Sequence, residues 1–203
     1  QITFISLRTN SYPFNSLRIR LAISKSINRN LISKKVSYDL RKPLRNIVPP
    51  IFKERNQDLW PEYNPREART LLEKEGFCNG KKLIFPLTYR SNVPSDKLIS
   101  LIIQEDIKNN LSGCISLDIN GVESTTMYDN LSKGLYPAAI HDWTGQYPDP
   151  EAYLKPLLSC SEIVENICKE GESVLSGSFW ASKQVENLFQ ESDSLVGNYR
   201  LDN

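Results

Sequence analysis

Histidine is nearly missing from this sequence: His141 is the only one in 203 residues. A zinc centre of the usual His/Cys type has almost no nitrogen ligands to draw on. The cysteines do not replace them, because Cys78, Cys114, Cys160 and Cys168 contain no Cys-x-x-Cys pair. Nucleophilic triads need a base held by an acid and set beside a nucleophile. His141 lies next to Asp142 in a segment that reads as a strand, the ordinary setting of a satisfied structural histidine. There is no Gly-x-Gly-x-x-Gly, no Walker-type phosphate loop and no Gly-x-Ser-x-Gly elbow. No cofactor is therefore expected. A carboxylate pair, Asp142 with Asp149, is what remains for a hydrolase of the glycosidase type, and such pairs are common by chance.

Other absences are physical. No apolar run approaches the ~18–20 residues that a bilayer-crossing helix needs. The formal net charge of +1 gives no global field toward nucleic acid or an anionic membrane, so no nucleic-acid partner is expected. The basic pairs Lys34-Lys35 and Lys81-Lys82 read as solvated faces. No signal peptide is visible. The opening Gln1-Ile2-Thr3-Phe4 already alternates like a strand, which fits a cytosolic chain or a mature or excised piece.

What is present suits one well-filled domain: hydrophobic residues make up 39% and charged residues 24%, and a chain of this length buries a core without staples. Residues 1–63 read as a strand (1–7), two helices and a Pro-rich ordered loop. The first helix, 17–27, competes with a strand reading, because Leu17, Ile19, Leu21 and Ile23 alternate; unbranched residues and a cap at Asn15 or Ser16 favour the helix. Asn28 caps the second, through Lys35. Residues 64–158 alternate regularly. Asn64 and Pro65 open a helix that Gly76 stops, and 83–89 follows as a strand in which Pro86 marks an edge or a bulge. A helix over 95–110 is expected to bury Leu98, Ile99, Ile102, Ile103 and Ile107, and strand 115–119 follows Gly113. Ser124 caps a helix with Met127, Tyr128 and Leu131. Gly134 ends it before strand 137–143, and Asp149 caps a helix from Pro150 to Leu158. In 159–203 a Ser/Gly-rich loop to about 178 precedes a helix over 183–191 and a loosely ordered tail. Helix, glycine and strand in three successions predict an α/β fold with a central, largely parallel or mixed sheet flanked by helices.

The densest segment is His141-Asp142-Trp143-Thr144-Gly145-Gln146-Tyr147-Pro148-Asp149-Pro150. It follows the carboxyl end of a predicted parallel strand, where ligands sit in open α/β sheets. Trp143 and Tyr147 offer flat faces with polar tips, Thr144 and Gln146 donors and acceptors, and Gly145 lets backbone come close. These four polar and aromatic residues are the candidate ligand-binding set, with Asp149 read as a helix cap.

Several stretches, in order, resemble one family. Trp143-Thr144-Gly145-Gln146-Tyr147-Pro148-Asp149-Pro150, then Tyr153-Leu154 and Leu157-Leu158-Ser159-Cys160, resemble its Trp, small residues, Asp, turn and Asp-Pro aromatic helix. Leu17-Arg18-Ile19-Arg20-Leu21-Ala22-Ile23 with Ile27-Asn28-Arg29 resembles its Val-Arg-x-Ala…Ala-Ile-Asp-Arg signature, and Ile47-Val48-Pro49-Pro50 its Pro-Pro loop. The run from Asn64 to Phe77 resembles its Asp-x-x-x-Ala-x-x-Leu-Leu…Gly-Tyr helix, and Phe179-Trp180 with Val185-Glu186-Asn187-Leu188-Phe189 its Asn-Pro-x-Phe-Asp-x-Leu element. The family is the bacterial extracellular oligopeptide/dipeptide-binding proteins of ABC importers.

The resemblance implies one lobe, residues 1–203, of a longer two-lobed periplasmic receptor. Such a receptor is monomeric, is not an enzyme, encloses a peptide or related small solute between its lobes, and delivers it to a membrane permease. Where peptide-binding members carry an Asp three residues after the Trp, to meet the ligand's α-amino group, this chain has Gln146, which accepts a hydrogen bond but brings no charge. Asn28 replaces an Asp and Met127 a common aromatic. A stand-alone interaction domain derived from such a receptor is the remaining alternative. The four cysteines suit either reduced core thiols or two disulfides by number alone. In an oxidising compartment, Cys78 and Cys114, each before a strand of one βαβ pair, are expected to bridge, and Cys160 with Cys168 to close a short loop.

Overall fold

The computed structural model describes residues 1–44, 46–52 and 59–194. The chain opens with β1 (Ile2–Leu7) and continues through α1 (Leu17–Ser26) and α2 (Arg29–Ser37). At residues 17–26 the helix prevails over the alternating-strand reading. Ser16 caps it by accepting from the Ile19 N–H, and Ile19, Ala22, Ile23 and Ser26 are buried at helical spacing. Asn28 caps α2 through the Leu31 N–H. Described parts of 40–63 form no helix or strand, as expected of the Pro-rich stretch; Arg45 and residues 53–58 lie outside the described residues.

The regular alternation follows: α3 (Pro65–Lys74), β2 (Leu83–Arg90), α4 (Pro94–Leu111), β3 (Ile115–Val122), α5 (Ser124–Leu131), β4 (Ala138–Trp143) and α6 (Glu151–Leu158). The last part holds β5 (Glu162–Val164), β6 (Ile167–Glu170), α7 (Glu172–Leu175) and α8 (Lys183–Ser194). The main sheet has the order β1-β4-β2-β3. β2 runs parallel to β3 and to β4, while β1 pairs antiparallel with β4, from Ile2 opposite Trp143 to Leu7 opposite Ala138. It is a mixed sheet with three parallel strands, flanked by helices, as the sequence predicts. The carboxyl ends of those strands, at Arg90, Val122 and Trp143, share one rim.

Pro86 sits in β2, which has neighbours on both sides, yet the proline is tolerated for a local reason. The Leu83 N–H bonds the Cys114 carbonyl on the β3 side. Alternation then turns the amide nitrogens of Ile84, Pro86 and Thr88 toward β4, and β4 pairs only with Leu87 and Thr88. At Pro86 that side of the sheet is an edge.

The largest core cluster lies under one sheet face, where Phe14, Ile19, Ala22 and Ile23 join Ala68 and Leu72, Ile103, Ile107 and Leu111, and Leu83, Phe85 and Leu87. A smaller one, Met127, Leu131 and Ala139, seats α5. A third gathers Ile2, Ala152, Tyr153 and Leu157 around α6.

Four expectations are corrected. Leu98 is 40% exposed, because the buried stripe of α4 runs through Asp96, Ser100, Ile103 and Ile107 and leaves Leu98 on its flank. Glu123 rather than Ser124 caps α5: its carboxylate accepts from the Thr125 N–H at 2.8 Å, while the Ser124 hydroxyl bonds Asn92 at 2.7 Å. α6 begins one residue later than expected, with Pro150 in the cap position, though Asp149 still accepts from the Glu151 N–H at 2.8 Å. Residues 159–178 are not a plain loop. β5 and β6 form a hairpin, turned by Glu165 and Asn166, both at positive φ, and α7 follows. Both expected disulfides are present. Cys78–Cys114 joins the approaches to β2 and β3 with a Cα separation of 3.9 Å, and Cys160–Cys168 staples the hairpin with one of 5.7 Å. The last helix runs to Ser194, and the tail from 195 lies outside the described residues.

Candidate ligand-binding rim

β4 delivers His141, Asp142 and Trp143 to the rim in succession, and each is held differently. His141 is 3% exposed; its Nε2 lies 3.1 Å from the Ser6 hydroxyl, and its ring lies 4.4 Å from that of Phe4. Burial lowers its pKa to about 4; the nearby Arg90 charge adds to this and Asp142 opposes it. A neutral, enclosed imidazole here does structural work.

Asp142 belongs to an ion network that sequence reading does not find. Arg90, at the end of β2, donates from Nε to Asp96 at 2.7 Å and from Nη1 to Asp142, and its Nη1 also meets the Tyr128 hydroxyl at 3.1 Å. Asp96, in the first turn of α4, is 1% exposed, and the Arg90 side chain 8%. Burial acts to lower the Arg90 pKa, but the hydrogen bond and charge of Asp96 outweigh it, so the pKa is raised. Burial pushes the Asp96 carboxyl up while Arg90 pulls against it. The network ties the ends of β2 and β4 to the start of α4 and the middle of α5. The available signal was an arginine closing an otherwise apolar strand.

Trp143 is half-buried. Its indole packs with the α6 cluster and donates from Nε1 to the Ala152 carbonyl at 2.7 Å. Thr144, Gln146 and Tyr147 are exposed on the connection from β4 to α6, Tyr147 at 50%. Gly145 passes so close to Tyr153 that a Cβ there would lie 2.6 Å from its ring. The rim therefore presents three of the four candidate residues outward, with Trp143 anchoring their base. Asp142 and Asp149 each have a local task, the one paired with Arg90, the other at the start of α6. A void of about 10 Å³ lies in the core, lined by aliphatic residues and Phe85; that is about one water's worth of space and no solute site.

Comparison with known proteins now bears on this architecture. The model of the bacterial extracellular solute-binding proteins, family 5 middle region, matches residues 1–165. The chain is 27% identical over 169 residues to heme-binding protein A of Haemophilus influenzae, covering 80% of this chain and 30% of that protein. It is 26% identical over 165 residues to the periplasmic oligopeptide-binding protein OppA of Salmonella typhimurium, covering 78% of this chain and 30% of that one. The fold matches the crystal structure of a periplasmic oligopeptide-binding protein from Borrelia burgdorferi with a TM-score of 0.82 at 20% identity, over 98% of this chain and 37% of that one. The chain thus spans about a third of the length of the proteins it matches. Its relatives are named as binding proteins, and among the described residues no helix is long and apolar enough to cross a membrane. The chain belongs to the bacterial extracellular solute-binding proteins, family 5.

Proposed function

We propose that this chain is one lobe of an extracytoplasmic, monomeric solute receptor, without catalytic activity, that encloses a peptide or a related small solute against a second lobe and delivers it to the membrane permease of an ABC importer. Trp143, Thr144, Gln146 and Tyr147 form this lobe's share of the solute site. The observation that carries the reading is the outward display of Thr144, Gln146 and Tyr147 at the carboxyl rim of a family 5 fold, on a segment that Trp143 anchors. Gln146 offers the solute an uncharged partner, which favours a solute lacking a free ammonium at that point.

Native mass spectrometry of the full-length protein tests this, with an equimolar library of short peptides as one probe and haem as the other. Retention of a peptide or of haem is expected, with loss of the retained probe on Gln146→Lys. A protein that retains neither overturns the reading. Peptides returned shortened by hydrolysis would overturn it in favour of an enzyme using Asp142 and Asp149.

A further inference from the structure

The near-zero net charge conceals a division within the chain: residues 1–50 hold ten of its 25 lysines and arginines but only one of its 24 carboxylates, Asp39. Much of that positive charge is used internally. Arg18 pairs with Glu75 and Lys25 with Glu67, while Arg20 and Arg29 donate to backbone carbonyls. Four of the others collect at one place. α2 ends at Ser37, and two consecutive residues at positive φ, Tyr38 and Asp39, turn the chain back on its own last turn. The return is fastened by the Ser33 hydroxyl to the Arg41 carbonyl and by the Arg41 N–H to the Ser37 hydroxyl at 3.0 Å. Lys34 and Lys35 in the last turn are thereby gathered with Arg41 and Lys42 after it, all four exposed. Lys34-Lys35, which alone reads as a solvated face, becomes with Arg41-Lys42 one knob. Asp39, whose carboxylate accepts from Ser33 at 3.3 Å, offsets one charge, and Arg41 reaches the Gln1 side chain at 3.5 Å.

The apex of this knob is apolar. Tyr38 is 87% exposed and Leu40 86%, the two most exposed large hydrophobic residues among the described residues. The left-handed region opposes the ordinary preference of Tyr38, and the turn that Tyr38 and Asp39 make there leaves Tyr38 and Leu40 exposed among the cations. Basic groups around protruding Tyr and Leu match the chemistry of an anionic lipid surface: cations meet headgroups and apolar tips enter the acyl boundary. We propose that the Lys34–Lys42 knob docks the protein on anionic phospholipid. The inference rests on the receptor reading, since a protein that hands solute to a membrane permease works at that surface.

Co-sedimentation of the full-length protein with vesicles tests it, using phosphatidylcholine alone or with one-third phosphatidylglycerol, at low and near-molar salt. Binding only to the phosphatidylglycerol vesicles, abolished by high salt, is expected. At about fivefold per cation, Lys34→Ala with Lys35→Ala should lower partitioning about 25-fold. Leu40→Ser should lower it without changing its salt dependence. Equal binding to neutral vesicles, no binding at all, or variants that partition like the parent overturns the proposal, as does binding confined to vesicles that carry a permease. The same preparations are assayed for retention of peptide and haem. Retained solute with failed vesicle binding removes only the lipid proposal, whereas failed retention counts against the receptor reading itself.

Discussion

His141 places a proton-linked weakness inside the fold. The unfolded chain takes up a proton on this residue near pH 6.5, whereas the folded imidazole resists it down to about 4. Below pH 6.5 the unfolded state therefore binds a proton that the folded state does not. The full contribution to stability is present above that value and is lost as pH falls toward 4. The gap amounts to about 3 kcal/mol between pH 7 and pH 4. Urea unfolding across that range should show the loss, and His141→Gln, which retains a partner for Ser6, should flatten it; parallel pH profiles for the two proteins would refute the assignment. Gly145 gives a steric counterpart. It is not at positive φ, so its requirement is space alone: Gly145→Ala puts a methyl 2.6 Å from the Tyr153 ring and must move either that ring or the segment bearing Gln146. A cost of about 1–3 kcal/mol, the usual range for overpacking, is expected in thermal unfolding, and Tyr153→Ala in the same chain should recover part of it. At this scale the sequence displays the importance of the 141–150 segment but not the direction each side chain takes. Trp143 reads as a ligand-facing platform, yet its indole N–H is committed to Ala152. Arg90 and Asp142 meet only through tertiary folding, so neither residue announces the other.

Among the elements, legibility follows local chemistry. Helices that carry their own caps, at Ser16, Asn28 and Asn64, and strands of six to eight residues, β1 to β4, are found where the sequence predicts them, because cap and periodicity are local signals. The β5–β6 hairpin is missed because its strands, Glu-Ile-Val and Ile-Cys-Lys-Glu, have only three and four residues, too few for an alternating pattern to stand out, and are held by a two-residue turn and the Cys160–Cys168 bridge. Removing the bridges should separate these cases. Closing a loop of separation 8 is worth about 2.5 kcal/mol in the chain-entropy account, and one of separation 36 about 4 kcal/mol. Replacing Cys160 and Cys168 by serine should cost about the smaller amount and raise amide exchange mainly in 162–170. Replacing Cys78 and Cys114 should cost more and lower the midpoint of the whole cooperative transition. Thiol titration of the denatured, unreduced protein should find no free thiol; four would remove both bridges and the oxidising compartment with them.

For the whole molecule, the mixed sheet decides where function can lie. Because β2, β3 and β4 are parallel, their carboxyl ends meet on one side, and β1, running the other way, adds its start beside the end of β4. Every candidate ligand residue sits on that side, and a second lobe would have to face it. A single lobe supplies only part of the enclosure that small-solute sites use, so the chain alone should bind any solute weakly. In the intact receptor, Trp143→Ala should weaken binding by about 2 kcal/mol or more, but the same change empties part of the α6 cluster, so its effect on binding must be read beside its effect on unfolding. Gln146 gives the cleaner measurement. It is exposed and belongs to no core cluster, so Gln146→Asp changes charge at the rim with little effect on the fold. Calorimetry should show tighter binding, by about 1–2 kcal/mol, if the retained solute carries an amine there, because the hydrogen bond becomes charge-assisted. For a neutral or acidic solute, which the uncharged Gln146 favours, the same substitution should weaken binding. Unchanged affinity in both Gln146→Asp and Trp143→Ala, with unfolding of the first also unchanged, would mean that the segment is only a strand end and the approach to a helix, and that the solute contacts this lobe elsewhere.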